Sequence, residues 1–168
     1  LNDVKRKRVV RVLEDNAGYP VEDFIGKEFF TMTTADSIVL NGFIMKPADF
    51  DSTRRYPVVM MQYSGPGSQQ VLDAWSSADW QQVLVPQGFI VACVDGRGTG
   101  ARGTAFRSCT YGRLGVLEAQ DQIAAARYMA SQSYVDPERI AIWGWSFGGF
   151  TTLMSMSMSK DVYKAGVA

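Results

Sequence analysis

Four short apolar runs, separated by segments with helical spacing, constrain the fold of this 168-residue chain more than any other feature. Runs of this length without polar alternation are typical of strands that are buried on both faces, as in parallel sheets. Strands that alternate with helices predict an α/β fold with a doubly wound, mostly parallel sheet. The four runs are YPVVMMQY at 56–63, FIVACVD at 89–95, RIAIWGW at 139–145 and YKAGVA at 163–168.

Two helices are predicted among these runs. The clearer one spans about residues 114–132, and a weaker candidate, FGGFTTLMSMSMS, follows Ser146. The clearer helix has an apolar stripe formed by Val116, Ala119, Ile123, Ala126 and Ala130. We expect its polar side chains to face away from that stripe, namely those of Glu118, Asp121, Gln122 and Arg127.

An antiparallel hairpin is predicted ahead of the parallel strands. KEFFTMTT and SIVLNGFIMKP are two β-rich runs on either side of Ala35 and Asp36. The segment VKRKRVVRVLEDN, near the start of the chain, is basic but is interleaved with valine and ends in acidic and amide residues. This pattern is more typical of a solvated strand edge than of a binding patch.

Composition and charge argue against several classes of partner. The chain is 46% apolar and 20% charged, as expected for a globular protein with one substantial core. Its 17 basic and 17 acidic residues cancel, so neither nucleic acid nor an anionic membrane surface is an expected partner. No apolar run approaches about 18 residues, and no membrane-spanning segment is predicted.

The cysteines indicate neither a metal nor a cofactor. Cys93 and Cys109 lack CxxC spacing, and the chain contains no histidine, so no metal or cofactor site is predicted. Two free thiols are expected, with Cys93 in an apolar strand. A disulfide between them stays open if the compartment is oxidising.

The sequence GWSFGG at 144–149 has the G-x-S-x-G spacing of a nucleophile elbow. In such an elbow a serine lies on a sharp strand-to-helix turn, and small flanking residues leave room for neighbouring elements. Here a β-rich run precedes Ser146 and a helix-compatible run follows it. The motif predicts that Ser146 is a nucleophile; a glycine-rich turn with an ordinary serine is the alternative.

A serine nucleophile needs a base, and this chain has no histidine. In α/β-hydrolases the triad follows the chain order serine, acid, histidine. Only Asp161 among the acidic residues follows Ser146, and we expect it in the loop after the nucleophile helix. We therefore expect the catalytic acid and histidine to lie beyond Ala168, in the remainder of a longer domain.

A second glycine motif offers a competing interpretation. Residues 98–103, GTGARG, match GxGxxG after a strand, and Glu118 follows at about the distance of a ribose-binding acid. However, Asp95, Gly96 and Arg97 separate the strand from the motif, and TAFRSCTYGRLG is predicted to continue as loop. Glu118 also falls inside the predicted helix. The glycines are better explained as shaping a loop beside the nucleophile than as a dinucleotide site.

Tyr63, at the start of YSGPGSQQ, follows the first of the four apolar runs. In acyl-transfer enzymes of this fold, the loop after an early strand contributes to the oxyanion hole, together with the backbone N–H after the nucleophile. That residue here is Phe147. Tyr63 could donate its hydroxyl as the second donor, or could be a packing residue.

These stretches together resemble the catalytic domain of the dipeptidyl peptidases in the prolyl oligopeptidase family of serine peptidases, in particular bacterial, Bacteroidetes-like members. The motifs G-W-S-[YF]-G-G and D-G-R-G-[TS]-G are far more specific than G-x-S-x-G alone. The resemblance extends from about Val10 to the end of the chain. It is carried by VRVLEDN, YPVVMMQYSGPGSQQ, VACVDGRGTGARG, LGVLEAQDQIAAARYMASQSYVDPERIAIWGWSFGGF and YKAGVA.

The resemblance implies the N-terminal part of an α/β-hydrolase domain at 26–168, preceded at 1–25 by the end of a β-propeller and a linker. It implies Ser146 as nucleophile, the Tyr63 hydroxyl as oxyanion donor and the Phe147 backbone N–H as the other donor. Many members have tyrosine where this chain has Phe147, so a hydroxyl contact would be lost there. The paired glutamates that hold the substrate's amine would precede Leu1.

The implied activity is release of N-terminal dipeptides, with proline or alanine second, through an acyl-enzyme and without a cofactor. The implied partners are peptides with a free N-terminus and a second copy of the protein, and the implied location is periplasmic or at the cell surface. The alternatives are an acylaminoacyl peptidase or esterase of the same fold, a nucleotide-binding module, and a scaffold whose serine is idle.

Overall fold

The computed structural model describes residues 24–74 and 80–168, together with 2–3, 6 and 8–9. Most of the predicted N-terminal domain and of its basic segment lies outside these residues, so the boundary near residue 25 stays a prediction. Two short strands, β1 (Asn2–Asp3) and β2 (Arg8–Val9), pair antiparallel to each other.

A six-stranded mixed sheet forms the centre of the fold, with the order β3-β4-β6-β5-β7-β8. β3 and β4 form the predicted antiparallel hairpin, and β4 also pairs antiparallel with β6. From β6 onward the pairing is parallel, as the four apolar runs predict. The strands are β3 (Glu28–Thr33), β4 (Val39–Met45), β5 (Tyr56–Met61), β6 (Ile90–Asp95), β7 (Val135–Trp143) and β8 (Ala165–Val167).

Among the described residues, four α-helices accompany the sheet: α1 (Gln81–Leu84), which continues into a 3₁₀ turn at Val85–Gln87, α2 (Thr104–Ser108), α3 (Val116–Ala130) and α4 (Phe147–Met158). The predicted helices α3 and α4 are confirmed. The expectation of loop after residue 103 is wrong for α2. That segment contains no glycine or proline to interrupt a helical turn, and the Gly98 amide donates to the Phe106 carbonyl at 3.0 Å.

Every side chain of β6 is buried, because the sheet is covered on both faces. Ile90, Ala92 and Val94 belong to a core shared with α3, whereas Val91 and Cys93 face a second core beneath α1 and its 3₁₀ turn. This arrangement explains why the run FIVACVD shows no polar alternation. The α/β class with a doubly wound, mostly parallel sheet is confirmed.

The polar residues of α3 are not all at the surface. Arg127 is exposed, whereas Glu118, Asp121 and Gln122 are fully buried, which the helical spacing alone does not show. Each has a hydrogen-bonding partner in a neighbouring loop or strand: the Gly115 amide for Glu118, Arg97 for Asp121 and the Val94 carbonyl for Gln122. Buried polar groups are tolerated where such partners exist.

The two cysteines have free thiols, one buried and one exposed. Burial raises the pKa of the Cys93 thiol, as expected for a core residue. Among the described residues, no helix is both long enough and apolar enough to cross a membrane.

Candidate active site

Ser146 lies at the turn between β7 and α4, and its side chain is exposed. Its backbone has φ 57° and ψ −120°, a left-handed conformation that non-glycine residues rarely adopt. Such a conformation costs roughly 1–3 kcal/mol and persists where the surroundings enforce it. The turn presents the serine hydroxyl at the carboxyl end of the parallel strands, which is where α/β proteins place their ligands.

The glycines of the motif allow this turn to lie directly against the end of β5. A Cβ on Gly144 would come within 2.6 Å of the Gln62 carbonyl oxygen. A Cβ on Gly148 would be 2.6 Å from the same oxygen and 3.1 Å from the Tyr63 Cα. Because real Cβ atoms do not approach so closely, side chains here would force the serine turn away from Tyr63.

Tyr63 follows the end of β5 and is half-buried. A Cβ on Gly65 would overlap the tyrosine ring, so this glycine leaves space for the ring in its present position. The Tyr63 and Phe147 ring centroids lie 6.3 Å apart with an interplanar angle of 49°. The fold therefore brings Tyr63, Ser146 and Phe147 to the same edge of the sheet.

The backbone of Phe147 is placed to act as a donor. Phe147 is the first residue of α4, and the N–H of the first helical residue has no acceptor within its own helix. The positive end of the helix dipole also favours negative charge at this point. With a base to take its proton, an exposed hydroxyl in this position could attack a carbonyl, and the helix N–H beside it could stabilise the resulting oxyanion.

The loop after β6 packs against the loop after β5. The Gly67 amide donates to the Gly98 carbonyl at 2.9 Å, and the Gly100 amide donates to the Ser68 carbonyl at 2.7 Å. A Cβ on Gly100 would lie 2.6 Å from the Gly67 carbonyl oxygen. The glycines of GTGARG thus permit a close approach of two loops, in agreement with the prediction that they shape a loop.

A dinucleotide site at these glycines is not supported. Glu118, the residue that would bind ribose, is fully buried and accepts the Gly115 N–H at 2.9 Å. Burial raises the pKa of the Glu118 carboxyl. Its position inside α3 makes it inaccessible to a ligand at the strand ends.

Asp95 anchors the same pair of loops from the end of β6. Its carboxylate accepts the backbone N–H of Gln70 at 3.0 Å and that of Val71 at 2.8 Å. Burial raises the pKa of Asp95, and these two hydrogen bonds oppose that change.

The buried ion pair between Arg97 and Asp121 could not be identified from the sequence. Arg97 donates from Nη2 to Asp121 at 2.6 Å and from Nε at 3.0 Å, and its Nη1 bonds Asp36 at 2.6 Å. The hydrogen bonds to Asp121 raise the pKa of Arg97. In the sequence, the only indication of this pair is that acidic and amide residues recur at helical spacing beside the apolar stripe of α3. That spacing does not show that Arg97 is the partner of Asp121.

The chain contains no histidine, so the base of a Ser-His-Asp triad is not among its residues. Asp161 lies on an exposed turn after α4, as expected, and pairs with Arg127 at 3.6 Å. Within residues 24–74 and 80–168, no three His, Cys, Asp or Glu side chains are grouped as a metal site would require.

A mostly parallel α/β sheet with a serine at a strained strand-to-helix turn defines the α/β-hydrolase class. Comparison with family models then gives the family: the model of the prolyl oligopeptidase family matches residues 75–168. The chain belongs to this family of serine peptidases.

Individual relatives agree with this assignment. The crystal structure of Porphyromonas gingivalis dipeptidyl peptidase 4 is 51% identical, with a TM-score of 0.92, and covers 98% of this chain. "Probable dipeptidyl-aminopeptidase B" of Phaeosphaeria nodorum is 42% identical over 94% of this chain, and its namesake in Podospora anserina is 47% identical over 79%. The resemblance to dipeptidyl peptidases is confirmed.

The chain spans only part of these relatives. It covers 24% of the Porphyromonas gingivalis structure and 18% and 14% of the two fungal proteins.

Proposed function

We propose that this chain carries the nucleophile and the oxyanion hole of a serine dipeptidyl peptidase, which releases N-terminal dipeptides with proline or alanine in second position. The observation that carries the proposal is the packing of the Ser146 turn onto the strand end that bears Tyr63. The names of the relatives at 42–51% identity support the substrate class.

In the proposed reaction, Ser146 Oγ attacks the carbonyl carbon of the second substrate residue while a histidine base takes its proton. The carbonyl oxygen becomes an oxyanion, which accepts hydrogen bonds from the Tyr63 hydroxyl and the Phe147 N–H. Collapse breaks the peptide bond, and the leaving amine takes the proton from the histidine. Water then hydrolyses the dipeptidyl ester, which frees the dipeptide and restores the serine.

The remaining groups lie outside this chain in the proposal. The catalytic acid and histidine would be supplied beyond Ala168, and the glutamates that hold the substrate's amine would come from a domain before Leu1. Residues 26–168 would then be part of the catalytic domain. Homodimerisation and a periplasmic or cell-surface location are further proposals from the resemblance.

Because the 168 residues contain no histidine, we expect them to show no hydrolysis of Gly-Pro-p-nitroanilide on their own. The full-length protein, assayed at the same molar concentration, is the positive control. Turnover by the isolated chain that survives repurification would contradict the proposed division of the triad.

Substrate profiling of the full-length protein tests the activity itself. We expect Gly-Pro-p-nitroanilide to be cleaved at least about 100-fold more efficiently than its N-acetylated form, because acetylation removes the ammonium that the glutamates bind and leaves them unpaired. Equal cleavage of both compounds would favour an acylaminoacyl peptidase. A preference for p-nitrophenyl esters over both would favour an esterase.

The Tyr63→Phe variant of the full-length protein tests the oxyanion donor. We expect kcat to fall about 100-fold to 1000-fold with little change in KM, because the hydroxyl bonds the oxyanion more strongly than the ground-state carbonyl. Tyr128→Phe is the matched control, since Tyr128 stacks on Phe30 through its ring, at a centroid distance of 5.3 Å. Wild-type kcat in Tyr63→Phe would remove Tyr63 from the proposed mechanism.

A further inference from the structure

The side chain of Gln62 connects the end of β5 to the first turns of α4. Gln62 is only 3% exposed. Its Nε2 donates to the Gly148 carbonyl at 2.7 Å and to Thr152 Oγ1 at 3.1 Å. Both acceptors belong to the helix that begins directly after Ser146, so one amide group spans the two elements that carry the candidate site.

The burial of Gln62 carries a cost in stability. Its Oε1 is buried and accepts no hydrogen bond from the described part of the chain. An unsatisfied buried acceptor costs stability, and an apolar side chain of similar shape avoids this cost. A role for the two Nε2 hydrogen bonds beyond stability would account for a glutamine here.

A second buried glutamine, Gln122, contacts Ser64, the residue that follows Tyr63 in the chain. Ser64 has a left-handed backbone, with φ 59°, although it is not glycine. Gln122, in α3, donates from Nε2 to Ser64 Oγ at 3.2 Å and to the Val94 carbonyl at 2.9 Å. Tyr63 therefore lies between Gln62, which donates hydrogen bonds to α4, and Ser64, which accepts a hydrogen bond from α3.

We propose that Gln62 is a positioning residue for the acyl-transfer reaction, which places the Tyr63 hydroxyl relative to Ser146, with the Gln122–Ser64 contact as a second support. The inference rests on the proposed function, in which Tyr63 is an oxyanion donor. An oxyanion donor must lie about 2.7–3.1 Å from the developing charge. Tyr63 and Ser146 belong to different elements, so their separation depends on contacts that join β5 to α4.

The first test is Gln62→Met in the full-length protein, a change that keeps the side chain's length and removes its polar group. With Gly-Pro-p-nitroanilide we expect kcat to fall about 10-fold to 100-fold while KM changes less than about twofold, since a small displacement of a donor weakens mainly the transition state. The control is Gln87→Met, because Gln87 is exposed in the 3₁₀ turn before β6. Wild-type kcat in Gln62→Met overturns the inference.

A double mutant separates positioning from a general structural role. In the Tyr63→Phe background there is no hydroxyl to position, so we expect Gln62→Met to lower kcat by less than about threefold. If Gln62→Met instead lowers kcat by the same factor in the Tyr63→Phe background as in wild type, Gln62 does not act through Tyr63 and the inference is wrong.

A milder variant keeps the test valid if Gln62→Met folds poorly. Thr152→Val removes one acceptor and leaves Gln62 in place; we expect kcat to fall about twofold to tenfold, again less in the Tyr63→Phe background. Titration of each preparation with a fluorophosphonate that labels Ser146 gives the concentration of folded sites. An unchanged kcat per labelled site in Thr152→Val contradicts the inference.

Failure of the proposed function would be visible separately. If wild-type protein cleaves no dipeptide nitroanilide, or if Tyr63→Phe keeps full activity, the proposed function or its oxyanion donor fails before Gln62 is considered. If wild type is active and Tyr63→Phe is slow, a normal Gln62→Met refutes only the positioning role.

Discussion

Replacing Ser146 by alanine in the full-length protein is expected to lower kcat for Gly-Pro-p-nitroanilide by about 10⁴-fold to 10⁶-fold. Without Oγ no acyl-enzyme can form, and only binding and the oxyanion donors remain to accelerate direct attack by water. The structure predicts little change in the free energy of unfolding, because the Ser146 side chain is exposed and because serine and alanine are similarly strained at a positive φ. Steady-state assays and thermal unfolding measure the two quantities.

The matched control for this variant is Ser157→Ala. Ser157 is an exposed serine near the end of α4, so its replacement should leave both kcat and the fluorophosphonate labelling unchanged. Loss of labelling in Ser146→Ala alone would identify the nucleophile. Activity retained in Ser146→Ala would instead support a scaffold whose serine is idle.

The second large effect concerns stability. We expect Asp121→Asn to reduce the free energy of unfolding by about 3–5 kcal/mol, because it leaves the buried Arg97 guanidinium without its main partner. The Asp121 side chain is 0% exposed and that of Arg97 only 11%. Asp36 also bonds Arg97 but is largely exposed, and solvent screens its charge. The measurement is urea unfolding of the full-length protein. Fluorophosphonate labelling of Ser146 at each urea concentration reports the folded fraction of this domain, from which the change in the free energy of unfolding is obtained.

Two further variants show whether pairing is the cause. Asp161→Asn removes one partner of an exposed pair, with side-chain exposures of 61% and 73%, and should change the free energy of unfolding by no more than about 1 kcal/mol. Arg97→Met combined with Asp121→Leu removes both charges and should be less destabilised than Asp121→Asn. A double variant less stable than the single one would contradict the explanation.

The elements that the sequence predicted well are those with a local signal. The apolar runs, the helix after residue 114 and the β-rich runs around Ala35 and Asp36 each show their pattern within one short window. The helix Thr104–Ser108 was missed because nearby glycines indicated loop, whereas the contact between Gly98 and Phe106 supports a helical turn. Such a contact is invisible to local propensity.

The candidate site was predicted residue by residue but not as an arrangement. Ser146 stood out through its glycines and Tyr63 through the resemblance, yet neither shows that β5 lies beside β7 in the sheet. Gln62 carries no signal at all, because its importance depends on acceptors about ninety residues later in the chain. The burial of Asp121 likewise depends on Arg97, which precedes Asp121 by 24 residues.

By itself the sequence determined the α/β class, the strand-to-helix turn at Ser146 and the family resemblance, because periodicity and motif spacing are properties of neighbouring residues. Only the tertiary structure decided which loops meet at the sheet edge, which polar side chains are buried and how Gln62 joins Tyr63 to the serine turn. The physical reason is that burial and hydrogen bonding depend on partners distant in the chain, which no local pattern specifies.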